Sequence, residues 1–241
     1  MQENEPKLTS DAVAPWPAPV GAGTRRLCAA RALVVAAGIG AWFFTQGLIA
    51  ARTPPSEGIE DGMHDLLTPL HDWLLARPLW TNALLIVSTA FVDGLAVFVL
   101  LRSIFGPSIR PLLGMAMLFG LRQLCQGLCS LPPPREMIWH DPGFPALLVT
   151  YSVAYDLFFS GHTAVAVYGA TELGRLGKRW LVAGILIALF EALTVLTLRA
   201  HYTMDVFAAA MTALCVAVFA DWLAPPCDRT LARLCFKSSE A

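Results

Sequence analysis

The sequence predicts an all-α polytopic membrane protein, a six-transmembrane-helix bundle, and three observations predict it. Of its 241 residues 56% are hydrophobic and only 15% charged, whereas a soluble domain carries about 25% charged residues. No charge interrupts Ala32–Ala51, and about 20 apolar residues suffice to cross a hydrocarbon core of roughly 30 Å. Further apolar stretches follow at intervals that suit helical hairpins.

Taken in order, residues 1–28 are polar and contain Pro6, Pro15, Pro17 and Pro19, the composition of a disordered tail. Ala32–Ala51 lacks the short apolar core and small-residue cleavage site of a leader, so it reads as a retained first span. The second span is Thr81–Leu101, interrupted by Asp93, and the third is Pro111–Leu131, which contains Arg122. Pro142–Tyr155 is apolar but too short to cross, so it is an interfacial or re-entrant segment or an extension of the fourth helix. The fourth span runs from near Ser160 to near Gly174, the fifth is Trp180–Leu198 with Glu191 inside it, and the sixth is Tyr202–Leu223. Residues 29–225 thus make one membrane domain, and 226–241 are left as a C-terminal tail.

Charge orients this bundle, because Lys and Arg concentrate on cytoplasmic loops. With the N-terminus inside, the cytoplasmic segments hold twelve of the 17 basic residues, the opposite side holds Arg52, Arg77, Arg135 and Arg199, and Arg122 lies within a span. Both termini are therefore expected in the cytoplasm. Arg52–Trp80, Leu131–Ser160 and the Arg199–Asp205 turn then share the other face, periplasmic or exoplasmic and lumenal. A net charge of −1 excludes a strongly basic nucleic-acid binder. The six cysteines contain no CxxC pair, so neither a disulfide framework nor a metal site is expected. The charges in spans two, three and five could serve a transporter, but no paired broken helices of the usual kind are visible.

Two motifs carry chemistry. In "RAHYTMDV", Arg199 to Val206, His201 and Asp205 are four residues apart and share a helix face. A carboxylate there can hold one imidazole nitrogen as a donor and leave the other as a nucleophile or base; alone, such a pair is more often a cap or a surface contact. In "YDLFFSGHTAVAVYGA", Tyr155 to Ala170, Ser160-Gly161-His162 opens a helix on the same side. Glycine lets a backbone approach a ligand closely, and free N–H groups at a helix start suit a phosphate. Two histidines, a carboxylate and a helix start together point to phosphoryl transfer through a phosphohistidine. The bland reading is two wet helix ends with interfacial histidines.

"DLFFSGHT" (Asp156 to Thr163), "HYTMDV" (His201 to Val206) and "LRQLCQGLCSLPPP" (Leu121 to Pro134) resemble the sphingomyelin synthase branch of the type 2 phosphatidic acid phosphatase superfamily, over roughly Leu112 to Leu223. The resemblance implies six spans and metal-independent chemistry with no cofactor. It implies His201 as nucleophile on a lipid phosphate, Asp205 as its orienting partner and His162 as general acid, with Asp156 in support. The reaction it implies moves a phospho-headgroup from a glycerophospholipid to a lipid alcohol, ceramide-like or diacylglycerol-like. A lipid phosphatase or phospholipase C-like hydrolase would use the same residues with water as acceptor. A non-catalytic membrane scaffold is the remaining alternative. Ser160 and Gly161 join the substrate site as its helix start. Arg122 could supply positive charge to the phosphate or pair with Asp93 or Glu191. Arg199 could touch substrate or reach for water as an interfacial charge. His64, His71 and His140 read as lid or interfacial residues, and Trp73, Trp80 and Trp139 as an aromatic belt, a choline-binding cage from these rings being an alternative that their spacing does not support.

Overall fold

The computed structural model describes residues 59–128, 131–149, 151 and 157–237, with side chains through residue 230. The tail 1–28, the first span Ala32–Ala51 and Asp156 lie outside the described residues. Among the described residues the chain is all-helical. Six helices occur in order: α1 (Gly62–Leu75), α2 (Pro78–Phe105), α3 (Arg110–Leu128), α4 (Gly161–Gly174), α5 (Lys178–Thr197) and α6 (Thr203–Lys237).

Three of them are long and apolar enough to cross a membrane: α2, α5 and the Thr203–Thr230 part of α6. Their apolar residues point outward as well as inward. Phe91 and Leu101 on α2, Leu186 and Leu189 on α5, and Phe207 and Trp222 on α6 are all exposed, while Ser88, Thr89, Glu191, Thr194 and Thr197 are buried. Water would penalise that arrangement; lipid favours it, because apolar side chains lose nothing by facing acyl chains. These features point to association with a membrane, and three of the expected six spans are matched by helices long and apolar enough to cross. α3 begins at Arg110 and carries Arg122 inside it, and α4 has only 14 residues, a length of about 21 Å.

α4 can be short because it is the buried axis of the bundle, packed against α2, α3, α5 and α6. Its burial is all-round: His162, Thr163, Val165, Tyr168, Glu172 and Leu173 look in different directions and are all buried. Small residues bring the neighbouring backbones close. A β-carbon added at Gly184 of α5 would lie 2.6 Å from the Ala170 Cα, so glycine is what lets α5 reach α4. On α3, Gly114 makes room for the Tyr168 hydroxyl, which donates to the Pro111 carbonyl at 3.1 Å.

The end of the bundle away from His162 and His201 is tied by ions. Arg110 of α3 pairs with the buried Glu172 of α4 and lies 3.3 Å from Asp221 of α6, which also holds Arg175 at 2.6 Å. Two turns further along α6, Asp228 accepts the Ser108 hydroxyl at 2.6 Å and the Ile109 N–H at 2.9 Å, capping the start of α3. This anchor gives a physical reason for one difference from the sequence reading. The sixth span was expected to end near Leu223 with residues 226–241 as a tail, yet α6 continues through Pro225 and Pro226 to Lys237.

A second difference is α1. The Arg52–Trp80 region was read as a connecting segment, but Gly62–Leu75 is a helix, with Asp61 accepting the Met63 and His64 N–H groups at its start. The described part of Pro142–Tyr155 contains no helix; instead Asp93 of α2 accepts the Leu147 and Leu148 N–H groups at 2.7 and 3.0 Å.

Candidate active site

The turn between α5 and α6 sets the site. α5 ends with the Ala200 N–H bonding the Val195 carbonyl and the Arg199 N–H bonding that of Leu196, a Schellman stop. That motif asks for a left-handed residue after the cap, usually glycine; here Arg199 takes it, at φ 53°. The chain reverses at once, so His201 emerges two residues after the stop and α6 begins at Thr203. Asp205 caps α6 from inside: its Oδ2 accepts the Tyr202 N–H at 2.9 Å. That same oxygen lies 3.7 Å from Nδ1 of His201, beyond hydrogen-bond length. His201 Nδ1 and Asp205 Oδ1 are both buried without a partner, so a small imidazole rotation would satisfy the pair. Catalytic contacts are often this long before substrate binds.

The second motif meets the first through backbone. The Ser160 N–H donates to the Asp205 carbonyl at 3.2 Å, and the Ser160 hydroxyl oxygen accepts the Thr163 N–H at 3.3 Å as the N-cap of α4. Arg122 of α3 donates from Nε to the Phe159 carbonyl at 3.0 Å. Its guanidinium lies across Gly161, where an added β-carbon would be 3.3 Å from Nε; glycine is what admits it. A guanidinium beside a helix N-terminus sets two positive ends together, an arrangement that an anion between them relieves.

His162, His201, Arg122 and Gly161 all border one small cavity. Its other walls are apolar, among them Val92, Phe119 and Val149. Trp139 also stands in this wall, its ring edge-to-face with His162 at 5.3 Å and packed on Tyr151 at 4.9 Å. Sequence reasoning placed Trp139 in an aromatic belt; nothing in its local sequence marks a residue of a non-helical segment as a cavity wall.

Of the residues singled out from sequence, the structure brings together His162, His201, Asp205, Ser160, Gly161 and Arg122. Arg199 is not among the cavity walls: its guanidinium pairs with Glu136 at 2.8 Å and donates to the Thr68 hydroxyl at 3.1 Å. Asp93 is engaged with the Leu147 and Leu148 amides, and Glu191 accepts the Ser88 hydroxyl at 2.6 Å. His140 contacts Asn82 at 2.7 Å in an exposed position. His64 and His71, read as lid or interfacial residues, are instead buried against the α5–α6 turn.

Asp61, outside the spans, also reaches this turn. It accepts the Thr203 hydroxyl at 2.6 Å and the Thr203 N–H at 2.5 Å. Burial alone would raise its carboxyl, but the Thr203 hydrogen bonds, the nearby His64 and the Met63 N–H outweigh it and hold the group below its usual range.

Two histidines and a guanidinium thus line one cavity, with the Asp205 carboxylate beside His201. Residues 61–222, more than half of the chain, match the family model AtPDCT1/2. The chain belongs to this family, the phosphatidylcholine:diacylglycerol cholinephosphotransferases, and so to a family of membrane lipid phosphotransferases. No curated protein and no solved structure matches it. The match corrects the sequence resemblance: the motifs sit in this family rather than in the sphingomyelin synthase branch. The physical reason is that two histidines and an aspartate serve the phosphate. They carry no information about which lipid alcohol receives it.

Proposed function

We propose that the protein exchanges phosphocholine between phosphatidylcholine and diacylglycerol through a phosphohistidine at His201. The observation that carries the reading is His162 and His201 facing one cavity, with Arg122 at the α4 N-terminus between α3 and α4, in a chain of this family. In the first half-reaction the His201 imidazole attacks the phosphorus of phosphatidylcholine. The N–P bond forms, the P–O bond to glycerol breaks, and His162 gives its proton to the departing diacylglycerol oxygen. Arg122 and the α4 N–H groups hold the phosphate oxygens as charge builds on them. Asp205 takes up the imidazolium that forms. A second diacylglycerol then enters; His162 removes its hydroxyl proton, the alkoxide attacks phosphorus, and His201 leaves. The proton returns to its origin, so the cycle balances without water.

Trp139 gives the headgroup a surface. A trimethylammonium cannot donate hydrogen bonds and is recognised by aromatic faces, and Trp139 stands beside His162, one headgroup's reach from the phosphate. Apolar walls suit acceptor lipid and disfavour water, which is what separates transfer from hydrolysis. The positive-inside distribution places the site on the non-cytoplasmic face with both termini in the cytoplasm; labelling of single cysteines at residues 61 and 228 with a membrane-impermeant thiol reagent should mark the first and spare the second.

The test uses purified protein in micelles with unlabelled phosphatidylcholine and labelled diacylglycerol. Labelled phosphatidylcholine should form, and His201→Ala should abolish it. Free phosphocholine with no labelled phosphatidylcholine would make the protein a hydrolase instead. Replacing Trp139 with Leu should raise KM for phosphatidylcholine more than it lowers kcat; an unchanged KM would remove Trp139 from headgroup recognition.

A further inference from the structure

One face of α1 is laid along the catalytic turn. Asp61, His64, Thr68 and His71 follow the i, i+3, i+7, i+10 spacing of a single helical stripe. Their partners run in the opposite direction at every second residue of the turn. Asp61 holds Thr203, His64 lies 2.9 Å from the His201 carbonyl, Thr68 accepts from Arg199, and His71 lies 2.9 Å from the Thr197 carbonyl. Resting on the reading of His201 as nucleophile, we propose that this stripe, and His64 above all, consists of positioning residues that fix His201 for attack.

A carbonyl oxygen can only accept, so both histidines must donate: His64 carries its proton on Nε2 and His71 on Nδ1. Both rings are buried, at 8% and 0% exposure, where a lost partner is costly and the contact therefore persists. The backbone of His201 is consequently held on both sides. Ahead of it, the Ala200 N–H is fixed to Val195; at the residue itself, His64 holds the carbonyl; beyond it, Asp61 holds Thr203. The Tyr202 ring adds a contact to His64, with centroids 5.7 Å apart. What stays free is rotation of the imidazole toward Asp205 and the cavity. A nucleophile displaced by about 1 Å loses on the order of 100-fold in rate, and the α5–α6 turn offers no other side-chain tie at the His201 carbonyl among the described contacts. The stripe does not touch the cavity, so its effect must pass through His201.

The full chain in micelles tests this with labelled diacylglycerol and phosphatidylcholine, using His64→Ala, His64→Gln and Asp61→Asn. His64→Ala should lower kcat by about 10- to 100-fold and leave KM for phosphatidylcholine within about twofold. His64→Gln, whose amide can still donate to the His201 carbonyl, should recover most of the rate. Asp61→Asn, which can hold Thr203 through one acceptor in place of a carboxylate, should show a smaller loss in kcat with KM unmoved. Hydrogen exchange reads the clamp without catalysis: the Arg199–Asp205 segment should exchange faster in His64→Ala and return toward wild type in His64→Gln. Wild-type kcat in His64→Ala, or exchange there like the wild type, overturns the proposal. So does a rate loss that Gln does not rescue and that comes with faster exchange throughout the bundle. If the wild type transfers nothing to diacylglycerol while the exchange pattern is as expected, the clamp stands and the transfer reading falls.

Discussion

Asp205 caps α6 with one oxygen, the proposed function asks the same oxygen to orient His201, and the two roles can be separated. Its Oδ2 caps α6 at the Tyr202 N–H and stands nearest the His201 imidazole. Asn at this position keeps an acceptor for the cap and loses the charge that an imidazolium needs. Asp205→Asn should fold with wild-type thermal stability in detergent and lose about 100-fold or more in kcat. Asp205→Ala should lose the rate and, in addition, about 1 kcal/mol of stability with the cap. Equal activity in the Asn variant would leave Asp205 as a cap alone. The sequence offered both readings at the same four-residue spacing; the structure shows the cap and sets the carboxylate 3.7 Å from the imidazole. Asp61 makes a pH-dependent contribution. Its folded-state pKa is depressed below 3.8, so its stabilisation is complete above the unfolded value and fades as pH falls through the folded one. Exchange at Arg199–Asp205 should therefore quicken only on acidification below about 4, and Asp61→Asn should remove that acid step. Arg199 shows where local reading stops: the signal for a Schellman stop is a glycine after the cap, and an arginine there gives no sign of a left-handed turn.

At the scale of elements, α4 decides the architecture. Its fit depends on small residues opposite it, so Gly184→Ala, which sets a methyl against the Ala170 backbone, should lower thermal stability in detergent by about 1–3 kcal/mol. A neutral result would mean that α5 can retreat from α4 without cost. The Arg110–Glu172 pair ties α3 to α4 with both groups buried. Removing one partner, as in Arg110→Met, should cost about 3–5 kcal/mol, whereas Arg110→Met with Glu172→Leu should recover much of it; unfolding of both variants at one temperature would contradict this. The helices at Thr81–Leu101, Trp180–Leu198 and Tyr202–Leu223 were legible because apolar length alone marks them, and their cores agree with α2, α5 and α6. α1 was missed because a search for spans counts apolar length and passes over a 14-residue helix. Its signal was present in Asp61 as an N-cap followed by apolar and histidine positions three and four apart. The end of α6 was placed too early at Leu223 because apolar length stops there, while the helix runs on to carry Asp228 to the start of α3.

Across the whole molecule, the outward apolar faces and inward polar side chains belong to lipid, and the site lies where the ends of α3, α4 and α6 converge. Six of the eight residues singled out from sequence meet there because Ser-Gly-His and His-xxx-Asp each describe a helix start, and helix starts on one face of a bundle must be neighbours. Trp139 and the α1 stripe were beyond reach, since their roles depend on which non-local segment they touch. The family was also beyond the motifs. A phosphate site reads the same whether a ceramide or a diacylglycerol arrives, because histidines and a carboxylate address the phosphate and not the acceptor's apolar body.

The covalent phosphohistidine is the central claim, and trapping it tests that claim most directly. Purified protein is mixed with phosphatidylcholine labelled at phosphorus and no acceptor, quenched in alkali and mapped by peptide. The account expects an alkali-stable, acid-labile label on the peptide carrying His201, absent from His201→Ala and discharged as labelled phosphatidylcholine when diacylglycerol is added. Transfer to diacylglycerol that proceeds in His201→Ala, or a label that settles elsewhere in the chain, would contradict it.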